Sequence, residues 1–362
     1  MVNNLQIIIH SPLINVQFPG NAFMIYEVMI TVATFDILPT DDWFPLVLTQ
    51  LPEEDAYTDK FDRMDYGSPF TVMNMGTMFL IFLYYVMLYT IYPCFDSCGR
   101  HIKCSKKCAK TLRKMLFWNH AIVFLQEGLL EILLVTAINF IYIHEAEAPW
   151  DNWNLVLNNV VSIVLTVGIA ILFLTIVFYL WPKGTLIRRK KYRRRYGSVY
   201  SMIKVKRSNY AMLYPIFFFL RRILLVFAVV FMLDYPTFQI FLFIFPTLLV
   251  MIHIGEVRPL LWRYENRLEI YNSFTILCLT YCLLCYTNFV SDAHARYQMG
   301  FAMIFLTSQN ILINIFLLGR EPVKMLILSC KRRWNRRTLY VRKTKYLISK
   351  LKSTKKSLSP TP

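Results

Sequence analysis

Apolar residues occur in seven long runs along the chain, separated by shorter polar or charged connections. The hydrocarbon layer of a membrane is about 30 Å thick, and about 20 helical residues cross it. Each run is expected to be helical, because lipid cannot satisfy unpaired backbone polar groups. The runs predict seven membrane-spanning helices, at residues 69–93, 117–144, 155–181, 211–233, 238–254, 270–290 and 299–318. The pattern therefore predicts an all-α polytopic membrane protein.

The basic residues predict how these helices are oriented. The chain has 40 Lys and Arg residues, and 35 of them lie in four segments: 94–116, 183–209, 255–268 and 320–362. The first three segments are alternate connections between the predicted spans, and the fourth is the tail after the last span. Residues 1–68 hold ten acidic side chains and only two basic ones. Because Lys and Arg concentrate on the cytosolic side, we expect the N-terminus outside and the C-terminus in the cytosol. One span more or fewer would break the alternation.

The composition excludes several classes of protein. Of the 362 residues, 56% are hydrophobic and only 17% are charged, with a mean hydropathy of +0.42. Soluble domains carry about 25% charged residues, so a soluble globular protein, a disordered chain and a coiled coil are all excluded. The net charge is +18, but the cations follow membrane sidedness. We therefore expect the bilayer and its anionic inner-leaflet lipids as partners, and no nucleic acid.

The chain divides into an extracellular acidic segment (1–68), a seven-span helical bundle (69–320) and a basic cytosolic tail (321–362). Residues 1–40 are apolar but too interrupted by prolines to span, so we expect them to pack against the outer ends of the helices. A covering flap without a ligand role is the plainer interpretation. Residues 1–20 have no signal-peptide pattern. Either the first span carries the segment across, or the chain is the C-terminal part of a longer protein.

Four charged residues fall inside the predicted spans. Glu127 and Glu131 are four residues apart in the second span, hence on one helix face, and Arg221 and Arg222 lie in the fourth. Both pairs are expected roughly 15 Å from the cytosolic edge, at a rise of about 1.5 Å per residue. Charges in spans are costly and mark functional sites by default. We predict an ion-paired cluster that is either a structural clamp or an ion path or switch.

The first cytosolic connection carries a cluster of cysteines. Its potential metal ligands are Cys94, Cys98, His101, Cys104 and Cys108, with spacing C-x3-C-x5-C-x3-C. Structural zinc ligands usually come in pairs two to four residues apart, so a zinc site is feasible. S-acylation at the membrane boundary is a second interpretation, and reduced thiols without a role are a third. No other cofactor is expected.

Two basic stretches are predicted to lie against anionic lipid of the inner leaflet. Their residues are Arg188, Arg189, Lys190, Lys191, Arg193, Arg194, Arg195, Lys331, Arg332 and Arg333. The tail at 322–356 mixes these cations with aromatic and leucine side chains, which predicts a basic amphipathic helix. Protein partners at the cytosolic face, of the calmodulin kind, are the alternative.

Two regions of the chain resemble a large group of ciliate surface proteins. The first is IIIHSPLINVQFPGNAFM, then FDILPTD and DKFDRMDYGS; the second is YPIFFFLRRILLVFAVVF, PTFQI and RPLLWRYENRLEIYNSF. The likeness covers most of residues 5–320 and implies the C-terminal multi-span region of such a protein, in a plasma or ciliary membrane. The group carries long cysteine-rich ectodomains, which this sequence lacks. A more distant likeness is to the fungal transient-receptor-potential-like membrane family.

No enzyme motif is present: the sequence has no Walker loop, GxGxxG, HExxH or GxSxG pattern. We therefore expect no enzymatic activity. The leading hypothesis is a receptor-like or anchoring module of a membrane surface. The alternatives are a channel or transporter that uses the intramembrane Glu/Arg cluster, and a structural subunit of a membrane complex.

Overall fold

The computed structural model describes residues 2–33, 51–52, 54–98, 103–114, 116, 120–187, 192, 196–205, 208–317, 319–320, 323 and 330–331. Two compact units are present: residues 2–308 form one, and Met1 with residues 309–362 forms the other. Within the described residues the chain is helical and has no strand, only an isolated antiparallel bridge between Ile203 and Leu260. The predicted all-α class is confirmed at this level.

The helices in chain order are α1 (Val2–Ile9), α2 (Gly20–Ala33), α3 (Asp59–Arg63), α4 (Thr71–Asn74), α5 (Thr77–Cys98), α6 (Lys103–Lys114), α7 (His120–Glu127), α8 (Leu129–Glu145), α9 (Trp153–Leu174), α10 (Gly184–Ile187), α11 (Tyr214–Phe231), α12 (Pro236–Val257), α13 (Arg263–Cys285) and α14 (Ala293–Leu317). A 3-10 turn at Ser11–Leu13 follows α1, and another at Asn209–Leu213 precedes α11. The helix α9 continues as a π-helical segment at Thr175–Leu180.

Six helices in the described part of the chain are long and apolar enough to cross a membrane. They are Met78–Cys98, Trp153–Leu180, Asn209–Phe231, Pro236–Val257, Arg263–Cys285 and Ala293–Leu317. A seventh candidate is the pair α7 and α8, which passes the same test only when its two parts are taken together. The described part of the chain therefore has six or seven apolar helices of membrane-spanning length.

The predicted second span is broken at Gly128, where the axes of α7 and α8 differ in direction by 73°. The backbone at the break packs closely against neighbouring side chains. A Cβ atom there would overlap the methyl group of Met78 and lie 3.1 Å from Cδ1 of Ile132. The sequence predicted one continuous helix at 117–144, because the apolar run passes through the glycine without interruption.

In this bundle many large apolar side chains are exposed and many polar side chains are buried, which is the reverse of a soluble protein. Large apolar side chains are exposed along the spans, among them Phe178, Phe238, Phe241, Phe245 and Ile252. Polar side chains are buried between the helices, among them Asn139, Asn158, Asn159, Ser162, Gln239 and Asn272. Ser162 of α9, for example, donates a hydrogen bond of 2.8 Å to the side-chain oxygen of Asn139 in α8. This distribution fits a bundle surrounded by lipid, where hydrogen bonds between helices replace a hydrophobic driving force.

The connections fall into two groups at opposite ends of the bundle. We call the end with connections 145–153, 232–236 and 286–293 the acidic end, and the other the basic end. At the basic end, Lys204 N donates to Pro259 O (2.8 Å) and Leu261 N donates to Met202 O (2.9 Å), so those two connections lie side by side. Two connections that are rich in Lys and Arg thus lie at the same end of the bundle.

Candidate functional site

The most unusual feature of the fold is the position of residues 2–16, which we call the N-terminal insert. Its apolar side chains are almost completely buried, among them Ile7, Ile8, Ile9, Leu13 and Ile14. At the acidic end, the backbone N–H of Asn15 donates to Gln239 Oε1 (2.7 Å), and its side chain donates to Leu233 O (2.9 Å). The insert therefore enters the bundle from the acidic end.

The insert reaches well into the bundle. Asn4, near its start, accepts a hydrogen bond from the Arg221 guanidinium. Arg221 lies twelve residues before Leu233 in the chain, which corresponds to about 18 Å along the helix at about 1.5 Å per residue. We expected residues 1–40 to pack beside the outer ends of the helices. The structure instead places the first of them near the middle, because an isoleucine-rich helix is better packed between helices than exposed to water.

The insert holds the carboxyl group of Glu131 in a buried hydrogen-bonded network. Tyr66 lies between His10 of the insert and Glu131. Its hydroxyl is 2.8 Å from His10 Nε2 and donates to Glu131 Oε1 at 3.0 Å. His10 Nε2 is also 3.6 Å from Glu131 Oε2, and its Nδ1 is 2.7 Å from the carbonyl oxygen of Gln6. His10, Tyr66 and Glu131 are all buried. The network thus joins three parts of the chain: the insert through His10, the connection before α4 through Tyr66, and α8 through Glu131.

Two arrangements of the same protons satisfy this network. In the first, an imidazolium His10 donates to Gln6 O and toward Tyr66, which donates to an ionised Glu131. In the second, a neutral His10 keeps its Nδ1 proton, accepts from Tyr66 through Nε2, and Glu131 carries a proton that it donates to Tyr66. Both contain the same number of protons and the same net charge. The network can therefore move protons between His10 and Glu131 without changing its total charge.

Arg221 and Arg222 belong to a second buried group. Glu269 of α13 interacts electrostatically with both arginines and forms a hydrogen bond with Tyr214. Arg222 donates to Phe218 O (3.1 Å), and its guanidinium lies 3.7 Å from the centre of the Phe218 ring. Both arginines and Glu269 are buried. One carboxylate thus interacts electrostatically with two buried cations inside the bundle.

The structure does not bring together the four residues of the predicted cluster. Glu131 contacts His10 and Tyr66, whereas the two arginines lie with Glu269. The side chain of Glu127 is exposed, and its backbone carbonyl accepts from Gln6 Nε2 at 3.4 Å. The physical reason is that the insert supplies each residue with its own polar partner, His10 for Glu131 and Asn4 for Arg221, although α8 and α11 pack directly against each other.

Sequence reasoning missed His10, Tyr66 and Glu269 as members of the interior groups. Of the three, only Glu269 could have been recognised from the pattern of polar residues in the sequence. It belongs to a buried polar stripe on α13 with helical spacing, formed by Asn266, Glu269, Ser273 and Thr280. The predicted sixth span began at residue 270, so this carboxylate was assigned to the connection before it.

The cysteine cluster is only partly described. Cys94, Cys98 and Cys108 carry free, exposed thiols. His101 and the side chain of Cys104 lie outside the described residues. Within the described part, no group of three or more His, Cys, Asp or Glu side chains is arranged to hold a metal ion. Zinc binding and acylation remain predictions.

The basic end carries an amphipathic helix, α6, next to these thiols. Its buried face includes Ser105 and Ala109, and Ser105 Oγ donates to Phe95 O of α5 (2.7 Å). Its exposed face carries Lys106, Lys107, Lys110 and Arg113. This cationic face adds to the lipid-facing residues that the sequence predicted. Of those residues, Arg188–Lys191, Arg193–Arg195, Arg332 and Arg333 lie outside the described residues, and Lys331 is exposed.

No family model, no curated protein and no solved structure matches the chain. The resemblance to ciliate surface proteins, and the more distant one to the fungal family, therefore stay predictions from the quoted motifs.

Proposed function

We propose that the protein is a receptor-like module of a membrane surface, without catalysis, in which the N-terminal insert couples the outer face to the interior of the bundle. One observation carries this proposal. The insert is joined at one end to the acidic-end connections and at the other to both buried charge groups, through Asn4 to Arg221 and through His10 to Glu131. An anchoring module that only holds a protein in lipid needs no such connection.

The bend in the second predicted span supplies the element that the insert controls. Glu127 is the last residue of α7, where backbone carbonyls lose their helical partners. Gln6 of the insert donates to this carbonyl at 3.4 Å. Four residues further on, Glu131 is held by His10. The insert therefore stabilises the bent form of α7 and α8, and its withdrawal should favour a straighter helix.

The expected movement can be measured with two spin labels, at Val123→Cys in α7 and His144→Cys in α8, with the native cysteines replaced by serine. Straightening a bend of 73° should lengthen the distance between the two sites by about 4 Å, given a rise of about 1.5 Å per residue. In double electron–electron resonance measurements, we expect Gln6→Leu to shift the distance between residues 123 and 144 to the longer value. Gln298→Leu, at an exposed position of α14, is the matched control.

An unchanged distance in Gln6→Leu and in a protein lacking residues 2–9 would contradict the coupling. A longer distance in Gln298→Leu as well would show that the change is not specific to the insert. The first result would leave the bend as a fixed feature of the fold, and the second would leave its change unconnected to the insert.

A proton pathway is a second candidate, favoured by the His10–Tyr66–Glu131 network. The network can relocate protons at constant charge, and buried ionisable residues in spans form proton relays in pumps and transporters. We expect proton flux into liposomes, followed with an internal pH-sensitive dye, to fall at least tenfold in Tyr66→Phe and in Glu131→Gln. Glu147→Gln, at an exposed carboxylate of the acidic end, should leave the flux unchanged. Wild-type flux equal to that of protein-free liposomes would exclude this candidate.

A further inference from the structure

A cleft of about 840 Å³ opens at the acidic end, between the N-terminal segment and the bundle. Its walls come from residues 15–18 at the end of the insert, from α2, from α3, from the start of α12 and from the residues that follow α13. The volume lies within the range of about 300–1,000 Å³ of small-molecule sites. The cleft thus lies where the insert meets the connections of the acidic end.

Lys60 gives the cleft an uncompensated positive charge. Its ammonium group donates to three neutral oxygens: Val16 O (2.7 Å), Ile14 O (3.2 Å) and Asn15 Oδ1 (3.2 Å). In the described part of the chain no carboxylate forms an ion pair with it. Burial lowers the pKa of Lys60 to about 8 because it disfavours the charged form. A partly buried cation without a counter-ion is costly, and an anion in the cleft would offset that cost.

Arg63, the second cation of the cleft, is already balanced. Its Nε donates to Glu27 Oε1 at 2.7 Å, and its guanidinium lies 4.1 Å from the centre of the Phe23 ring. Arg63 therefore fixes an aromatic wall and contributes little free charge. Lys60 and Arg63 are the only two cations among the first 68 residues, which hold ten acids. That both line one cleft is unexpected in a segment of such strongly negative charge.

Aromatic rings form the apolar side of the cleft. Phe18 packs edge-on against Phe23, with ring centres 5.9 Å apart, and lies 5.2 Å from the ring of Tyr286. Phe289, at the rim, is 90% exposed. Its ring is therefore available to cover a bound apolar group. The amide of Asn288 and the hydroxyls of Thr237 and Thr287 add polar groups to the lining.

We propose that this cleft binds a small organic anion, with its charged group at Lys60 and an aromatic or aliphatic body against Phe18, Phe23 and Phe289. The inference rests on the proposed receptor-like function and names the class of ligand for it. Because Lys60 holds residues 14–16 by their oxygens, an anion that draws the ammonium toward itself would loosen the base of the insert. Both a water-soluble aromatic phosphate or carboxylate and the phosphate of a lipid headgroup have this chemistry.

The test uses the full chain in dodecyl maltoside and 4-fluorophenyl phosphate, observed by fluorine NMR. We expect saturable binding, weakened at least tenfold in Lys60→Met and less than threefold in Lys60→Arg, which keeps the charge. Lys110→Met, at an exposed cation of the basic end, should bind as the wild type does. Phe289→Ala should weaken binding of the aromatic phosphate severalfold and leave binding of inorganic phosphate unchanged, since that side chain supports nothing in the core.

The source of the anion is separated by repeating the titration in nanodiscs. If phosphatidylglycerol in the disc displaces the probe and phosphatidylcholine does not, the natural anion is a lipid headgroup. If neither displaces it, the natural ligand is a soluble anion.

The proposal is overturned if the probe does not bind saturably, or if Lys60→Met binds it as tightly as the wild type. The spin-label distance between residues 123 and 144 reports separately on the insert. A site that binds the probe without any change in the bend would refute the receptor-like coupling and leave the anion site standing.

Discussion

Replacing Glu269 with leucine should lower the free energy of unfolding by about 3–5 kcal/mol, the cost of leaving buried charge without its partner. Arg221 and Arg222 are buried, and Glu269 is the carboxylate with which both interact. The measurement is an unfolding titration with sodium dodecyl sulfate in mixed micelles. Glu256→Leu, at an exposed carboxylate of α12, should change the same free energy by no more than about 0.5 kcal/mol.

Exchanging charges distinguishes the observed pairing from the one that the sequence predicted. Arg221→Glu combined with Glu269→Arg should recover part of the stability that either single change removes. Arg221→Glu combined with Glu127→Arg should recover none, because the Glu127 side chain is exposed. Recovery in the second double variant and not in the first would reinstate the Glu127–Arg221 pairing and contradict the assignment of Glu269.

Replacing Tyr66 with alanine should cost about 3–5 kcal/mol, as the loss of a large buried aromatic side chain usually does. Tyr66 is 1% exposed and contacts both His10 and Glu131. Tyr66→Phe isolates the hydroxyl and should cost about 1–3 kcal/mol, because Glu131 and His10 then lose a buried hydrogen-bond partner. Both costs are read from the same detergent titration.

Hydrogen exchange shows whether the loss is local to the insert. In Tyr66→Ala we expect the backbone amides of residues 5–14 to exchange much faster, while those of α12 keep their protection. Tyr235→Ala removes a tyrosine that is 60% exposed and should affect neither region. Uniform loss of protection across the bundle would mean that Tyr66 supports the whole fold and does not specifically retain the insert.

The long apolar runs predicted helices of membrane-spanning length, because span length and backbone hydrogen bonding in lipid leave few alternatives. The described part of the chain has six or seven such helices, against the seven predicted. The boundaries were less accurate where proline was taken as a stop. The first predicted span ended at Pro93, but α5 continues to Cys98. The predicted fifth span began at residue 238, and α12 begins two residues earlier, at Pro236, with Pro246 inside it.

The two buried groups of charged side chains could not be predicted from the sequence, for a different reason. Depth along straight helices placed Glu127 and Arg221 together, but α7 and α8 are not collinear. The insert also supplies a separate polar partner to each of the two spans, His10 to Glu131 and Asn4 to Arg221. An apolar segment interrupted by prolines at its far end gives no sign of whether it covers the helices or enters between them. Only the three-dimensional packing decides between those outcomes.

The long-range contacts of the N-terminal segment impose an order on biosynthesis. Gln17 N donates to Tyr286 O, Asn21 donates to Tyr297 O, and the Tyr26 hydroxyl lies 2.7 Å from that of Thr307. These residues therefore reach their final neighbours only after some 280 further residues have been made. At about 5–20 residues per second this takes roughly 15–60 s. During that interval the part of the bundle that buries Ile7, Ile8 and Ile9 has not been synthesised. Chaperones or lipid must therefore keep these side chains from water.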